Sequence, residues 1–442
     1  MIRNFTVGFS LLTMALSLAA QQYSAALSDN ENAFDAPIPG FTGPGGEGKS
    51  NTSGYESPDG ETSVNPIFLG WASDVAEYYG ADSTDLVTGD PTLAAPWNET
   101  SWILGPVTGD LFQITSLGDL NSVDIAAGDS PGYITLTFDK PIQNFTGADF
   151  AVFENGGISE SNQGGAGIGG IFAELAYVEV SSNGVDFARF PSISNTDGAV
   201  GRYGSIDPTL VYNLAGKHVN GFGDSWGTPF DLEDLADDEL VAQGKLDLNA
   251  ITHVRMVDIP GDGSFLDSLG NPIYDAWITY DSGGADIEAV GAIGQSLTYD
   301  EWDNERGLLP DNDDDGDGWT NFAEYAFRLD PETPDSAAVT RAELDGTSNP
   351  QFVFPRDERN ADVVYVIEYQ DGALDGTWLE AARFGPLTAS TVDSAVIESV
   401  TTVNQSPQAS LGVLQEVYLQ IAEPANPADG RFVRLRLEAI AE

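Results

Sequence analysis

Tyr133-Ile134-Thr135-Leu136-Thr137-Phe138 alternates apolar or aromatic residues with threonine at every second position. That two-residue period is the pattern of a half-buried β-strand and does not fit a helix. Asp139-Lys140-Pro141 follows as a turn signal. Working outward, Phe150 to Phe153, Ala176 to Val180, Phe187 to Phe190, His253 to Ile259 and Ile287 to Ile293 repeat the theme, and Ser181-Ser182-Asn183-Gly184 reads as a hairpin turn. Short strands separated by turns indicate a mainly β fold, a sandwich of jelly-roll type. Two helical readings interrupt it. Val75 to Tyr79 reads as a helical turn. Thr228-Pro229-Phe230-Asp231 reads as a capped helix start, with Leu232, Leu235 and Leu240 facing inward and Asp234, Asp237, Asp238 and Glu239 facing water.

A second β segment closes the chain. Gln351 to Phe354, Val363 to Tyr369, Val417 to Ile421 and Phe432 to Leu437 read as strands of a fibronectin- or immunoglobulin-like sandwich. The resulting division is 1–26 signal peptide, 27–63 flexible lead-in rich in Gly, Ser and Pro, 64–295 first β-sandwich, 296–335 acidic connector and 336–442 second β-sandwich. The signal peptide reading rests on Arg3, the apolar run Phe5 to Ala20 and small residues at Ser17-Leu18-Ala19 and Ser24-Ala25-Ala26. Export to the medium or the cell surface is the expectation. No later run is apolar enough to span a bilayer.

Charge narrows the function. Seventeen Lys and Arg stand against 70 Asp and Glu, a net of 17 − 70 = −53. A chain with so little basic surface is no nucleic-acid binder. Cys is absent and His occurs only at 218 and 253, which removes disulfides, thiolate chemistry and multi-His metal centres. The acid is concentrated: residues 296–335 hold 13 acids and two Arg, a net of −11 in 40 residues.

Within that segment Asp313-Asp314-Asp315-Gly316-Asp317-Gly318-Trp319-Thr320-Asn321-Phe322-Ala323-Glu324 fits the twelve-residue calcium loop. Asp313, Asp315 and Asp317 take positions 1, 3 and 5, and Gly318 makes the sharp turn at position 6. Trp319 offers its carbonyl, Asn321 occupies position 9, and Glu324 at position 12 supplies two oxygens. Calcium needs six to eight oxygens, and this spacing wraps them around one point. Phe322, Tyr325, Ala326 and Leu329 then follow helical spacing, whereas Pro310-Asp311-Asn312 cannot form an entering helix. The expectation is a structural clip with an exiting helix only.

Weaker constellations remain. Gly223-Asp224-Ser225-Trp226-Gly227 matches a nucleophile elbow, but it lies in a glycine-rich loop of a β domain. A triad of Ser225, His253 and Asp258 has no support from spacing. Gly165 to Gly170 carries a formal G-x-G-x-x-G without the βαβ unit it requires, so it reads as a loop between strands. Glu154 and Asp258 end strands, and Asp281, Asp286 and Glu288 cluster near the last strand of the first domain. Glu154, Asp258 and Asp286, with Trp226, form a candidate second metal or ligand site, of which solvated loop ends are the alternative. Trp226 is a candidate for stacking on a sugar, and Trp277 is a candidate to converge with it and these acids on one cleft.

Residues 65 to 295 resemble an uncharacterised family of bacterial secreted or cell-surface proteins. The resembling strings are Gly147–Asn155, Phe172–Ala176, Val178–Gly184, Asn213–His218, Gly227–Leu232, Thr252–Arg255 and Gly283–Gly291. The resemblance implies surface location and a β-sandwich, with no established activity. Residues 311 to 442 resemble a thrombospondin type 3-like or dockerin-like calcium loop that leads through a short helix, Glu324 to Pro331, into a C-terminal β module. That resemblance places calcium ligands on Asp313, Asp315, Asp317, Trp319, Asn321 and Glu324. One loop only is found, so no cohesin partner is implied. The combined expectation is a secreted, calcium-binding, non-catalytic binding or adhesion protein, with extracellular glycan or another cell-surface component as ligand. The alternatives are a polysaccharide-acting enzyme using first-domain carboxylates, or a structural surface component.

Overall fold

The computed structural model describes residues 68–442 and the two-residue strands Tyr55–Glu56 and Thr62–Ser63, apart from 109, 222–226, 335–338, 345–349, 373–376, 387–389, 405–413, 425–430 and 441–442. The expected signal peptide, residues 1–26, and Trp226 lie outside the described residues. The chain is mainly β, and its named strands all pair antiparallel. It divides into two compact units, one ending at Ile293 and the other beginning at Gly294.

In the first unit, strand Tyr133–Ile142 sits between Asp74–Tyr79 and Ile251–Asp258; Ala176–Ser181 pairs next to the latter, and Ala188–Arg189 forms the far edge. A second sheet runs Thr228–Phe230, Phe150–Glu154, Asp286–Ala292, Gly70–Trp71. Ile134, Leu136, Val178, Val180, Val254 and Met256 from the first sheet share one buried cluster with Phe150, Val152, Phe230, Ile287, Val290 and Ala292 from the second. The alternation of the sequence thus points one set of side chains from each sheet into a common core. Tyr177, between Val178 and Ala176, turns the other way into a separate cluster with Ile171, Leu175, Leu214, Ile259 and Ile273. Gly118 is fixed by close approach: with φ near 78°, any Cβ would stand 2.2 Å from the Ala81 carbonyl oxygen.

Three local readings are corrected. Val75 to Tyr79 is not a helical turn but part of edge strand Asp74–Tyr79, paired with Tyr133–Ile142. The Asp139-Lys140-Pro141 turn is the tail of the strand itself. The ladder shifts register there, between Ile251 and His253 of the partner strand, so Pro141 sits where no regular ladder bond is required. Finally, no helix starts at Thr228. Thr228–Phe230 is an edge strand paired with Phe150–Val152, a position where a proline is tolerated. The turn that follows is 3-10, Leu232–Leu235, capped by the Asp231 carboxylate accepting from the Glu233 N–H, with an α-helical turn Glu239–Ala242 beyond it. Leu232 and Leu235 are buried in the core, as their spacing predicts.

The second unit holds two four-stranded sheets. One is ordered Arg341–Leu344, Pro350–Asp357, Leu414–Ile421, Ile397–Asn404; the other is Thr391–Val392, Leu379–Phe384, Val363–Asp371, Arg431–Ala439. Phe354, Tyr365, Ile367, Phe384, Val417 and Leu419 form its core. The acidic segment read as a connector is packed into this unit: Tyr299, Tyr325, Ala326 and Phe327 belong to the same buried cluster. Among the described residues no helix is long and apolar enough to cross a membrane.

Candidate metal centre

Helix Tyr299–Asp303 begins with a capping box between Thr298 and Glu301 and ends at Asn304 in a left-handed conformation. Nothing helical follows until Asn321–Phe327. The stretch between turns back on itself, and two backbone bonds close its base. Asn321 N–H donates to the Asn312 carbonyl at 2.7 Å, and Phe322 N–H donates to the Pro310 carbonyl at 3.1 Å. Gly316 and Gly318 take φ of 82° and 103°, a region that favours glycine.

Each loop carboxylate accepts from the backbone ahead of it. Asp313 takes Gly316 N–H at 2.7 Å and Gly318 N–H at 3.0 Å. Asp315 takes Asp317 N–H at 3.1 Å, and Asp317 takes Trp319 N–H at 2.8 Å. These bonds turn the three carboxylates inward, so that one oxygen from each lies within 4.8 Å of the others. Three negative oxygens at that separation repel one another unless a cation sits among them.

The remaining loop positions lie on the exiting helix, which Thr320 caps through Ala323 N–H. Asn321 and Glu324 are fully buried. The Asn321 side-chain NH₂ donates to the Leu309 carbonyl at 2.9 Å and to Asp314 at 3.0 Å. Its Oδ1 is buried with no hydrogen-bond partner, as a ligand oxygen would be. The helix end is fastened to the β unit. Asn360 NH₂, in the turn between strands Pro350–Asp357 and Val363–Asp371, donates to the Tyr325 and Ala326 carbonyls, and Tyr365 OH on the second of these strands donates to Ala326, so the last-turn carbonyls are met from this turn and strand. Arg328, at the left-handed C-cap, ion-pairs with buried Asp357 at 2.6 Å. The residues present therefore fit calcium: an all-oxygen donor set, an orphaned amide oxygen and a rigid base.

The first unit holds a different collection of acids. Asp119, Glu154, Glu174, Asp258, Asp275, Asp286 and Glu288 are all buried. Burial pushes their carboxyls up, Glu288 to about 8, and the neighbouring carboxylates add to the rise in most of them. The structure brings the three acids singled out in the sequence into this row. Asp286 is among the charges that raise Glu154, and Asp258 among those that raise Asp286. Glu154 accepts Gly156 N–H at 3.0 Å, and Glu288 accepts the Asn220 NH₂ at 2.7 Å. Sequence reasoning missed Asp119, Glu174 and Asp275 as members. Their positions are scattered over more than 150 residues, so no local spacing marks them. Glu288, two residues after Asp286, is legible in the sequence as part of the acid cluster near the last strand, and that strand is buried along its whole length.

The triad geometry is excluded in the described part. His253 and Asp258 lie five residues apart on one strand, Ile251–Asp258, which separates them by roughly 16 Å and turns them to opposite faces. Ser225 is outside the described residues. The glycine run Gly165 to Gly170 lies between the paired strands Gly157–Ile158 and Ile171–Phe172, a loop as its sequence indicates. Trp277 is half-buried and donates its indole N–H to the Leu120 carbonyl at 2.9 Å. Set against known protein families, curated proteins and solved structures, the chain matches none.

Proposed function

We propose that this is a secreted or cell-surface calcium-binding protein whose loop 313–324 folds around one calcium ion and thereby fixes the helix Asn321–Phe327 in the second unit. The reading is carried by one observation: three inward-turned carboxylates within 4.8 Å of one another on a loop that closes onto a buried helix. Its two units are proposed as β-sandwich modules, jelly-roll-like and then fibronectin- or immunoglobulin-like. The cores shared between paired sheets support this architecture. The resemblance to bacterial surface proteins supports the location. Extracellular calcium loops work at affinities of ~10⁻⁴–10⁻³ M, which suits a structural role in a calcium-rich exterior. Calorimetric titration with calcium tests the site. Wild type should give a binding heat in that range, and Asp315→Ala should remove one calcium equivalent from it. A wild-type titration without binding heat, with no calcium retained on dialysis, removes the proposal.

The first unit is proposed as a non-catalytic binding module for extracellular glycan. One surface favours this reading. Trp97 packs against Trp102 at 6.5 Å and Phe112 at 6.1 Å between ring centroids, and Phe112 is 62% exposed. Trp97 and Trp102 are half-buried beside it, and such a partly exposed aromatic cluster suits stacking on the apolar face of a sugar ring. Trp97→Ala should lose binding to a panel of immobilised polysaccharides while the thermal midpoint stays within a few degrees. Release of reducing ends from the same panel would instead establish the enzyme alternative. Absence of both binding and release would favour the structural one.

A further inference from the structure

We propose that the first unit binds a divalent cation of the calcium type between Asp119 and Asp258, with Glu174 and Asp275 flanking it. The inference goes beyond the loop at 313–324 and stands on separate residues.

The four carboxylates come from four distant stretches and are gathered largely by one loop, residues 275–286. Thr279 N–H donates to Asp119 Oδ2 at 3.1 Å, and the Thr279 hydroxyl donates to Glu174 Oε1. Gly284 N–H donates to the same Glu174 oxygen at 3.1 Å, and Ala285 N–H donates to Asp258 Oδ1 at 2.8 Å. Asp275, at the start of the loop, accepts Leu175 N–H at 2.7 Å, next to Glu174 in sequence. Gly284 has φ near 71°, and a Cβ there would fall 2.6 Å from the Gly118 carbonyl and 2.7 Å from Asp258 Oδ1. The backbone that bears Asp119 is thus brought against the Asp258 carboxylate with only a glycine between.

The site is closed and one-signed. None of the four side chains is more than 4% exposed. Among the described residues no Lys, Arg or His ion-pairs with any of them. Two oxygens are left over, Asp119 Oδ1 and Asp258 Oδ2. Both are buried and neither has a hydrogen-bond partner. Asp258 is also the foremost neighbouring charge acting on Asp119. An unmet buried acceptor costs about 1–3 kcal/mol, and more for a charged one, so such a pair needs a counter-group. A cation meets both oxygens at once. The donors are all oxygen, which selects a hard ion of the calcium or magnesium kind over zinc or copper. Only loop 313–324, among the described residues, brings three carboxylate oxygens within 4.8 Å of one another. The site in the first unit is therefore proposed with two carboxylate ligands, Asp119 and Asp258, a lower ligand charge count.

The test uses the full chain and calcium alone as probe, with bound ion counted by equilibrium dialysis. Wild type should hold two ions. Asp313→Asn/Glu324→Gln, which disables the loop at 313–324, should hold one. Adding Asp119→Asn should weaken that remaining ion about tenfold or more. Two ions in wild type and one in the double variant support both readings. One ion in each, lost on adding Asp119→Asn, supports this site and refutes the loop. One ion in wild type and none in the double variant overturns this site and leaves the loop standing. Because Asp119→Asn can disturb folding, hydrogen exchange on the double variant gives an independent readout. Calcium should slow exchange in peptides covering 117–121 and 275–286, and exchange there that ignores calcium overturns the proposal.

Discussion

Asp357→Asn should lower the thermal midpoint of the second unit by roughly 10 °C, corresponding to about 3–5 kcal/mol. Asp357 and Arg359 are both buried, and Arg359 donates to the Asp357 carboxylate at 3.1 Å through Nε and at 3.1 Å through Nη2. Arg328 adds a third at 2.6 Å. Burial alone would raise the Asp357 carboxyl, but the Arg359 and Arg328 guanidinium groups hold it well below the usual carboxylate range. Asparagine keeps the shape and removes the charge, so the buried Arg359 and Arg328 guanidinium groups lose the Asp357 countercharge. The large cost comes from that lost countercharge rather than from any net worth of the pair. Asp357→Asn/Arg359→Met should therefore be less destabilised than Asp357→Asn alone, a non-additive cycle. The sign of the pH effect follows from the lowered carboxyl. Its contribution is in full force above the ordinary aspartate range and is lost as the pH falls through that range and below it. Wild type should lose stability in acid faster than Asp357→Asn does, as measured by thermal melts between pH 3 and 6. Equal acid slopes for the two chains would contradict this account.

What was legible in the sequence follows the range of the interactions concerned. The acidic loop was readable because all its candidate ligands lie within twelve residues and its turns are set by Gly316 and Gly318. The central strands were readable because Tyr133 to Phe138 and Ala176 to Val180 alternate cleanly between two buried faces. Asp74–Tyr79 was misread because it is an edge strand, largely exposed, with Ala and acids that favour a helix locally. Pairing with Tyr133–Ile142 overrides that preference. At Thr228 the capping signals were genuine but displaced. Asp231 performs the capping, and Pro229 belongs to a strand whose partner lies about 80 residues earlier. The carboxylate row was half legible. Acids at strand ends could be suspected one at a time, whereas their convergence on the loop 275–286 depends on long-range packing that no spacing encodes.

Removing calcium should lower the midpoint of the second unit by several degrees, and Glu324→Gln in the presence of calcium should do the same. A ligand at a hundredfold excess over its dissociation constant stabilises by about 2.7 kcal/mol, and for a unit of this size that is a readily measured shift. The effect reaches beyond the loop because of where the ligands sit. Asn321 and Glu324 are buried on the first and second turns of a helix whose last carbonyls are held by Asn360 and Tyr365. Tyr325 on the same helix hydrogen-bonds Asp362 at 2.6 Å, and Arg328 at its end reaches Asp357. Loss of the ion leaves the Asp313, Asp315 and Asp317 oxygens repelling one another at one end of this helix. The disturbance then has a direct path into strands Pro350–Asp357 and Val363–Asp371. Hydrogen exchange should accordingly quicken on chelation in the helix and in both strands, and not in the loop alone. A midpoint indifferent to chelator, with exchange unchanged in 321–327, would mean that the acidic loop closes on its backbone bonds without an ion. Glu324→Gln would then be silent, and the fixing of this helix would fall to Arg328, Asn360 and Tyr365.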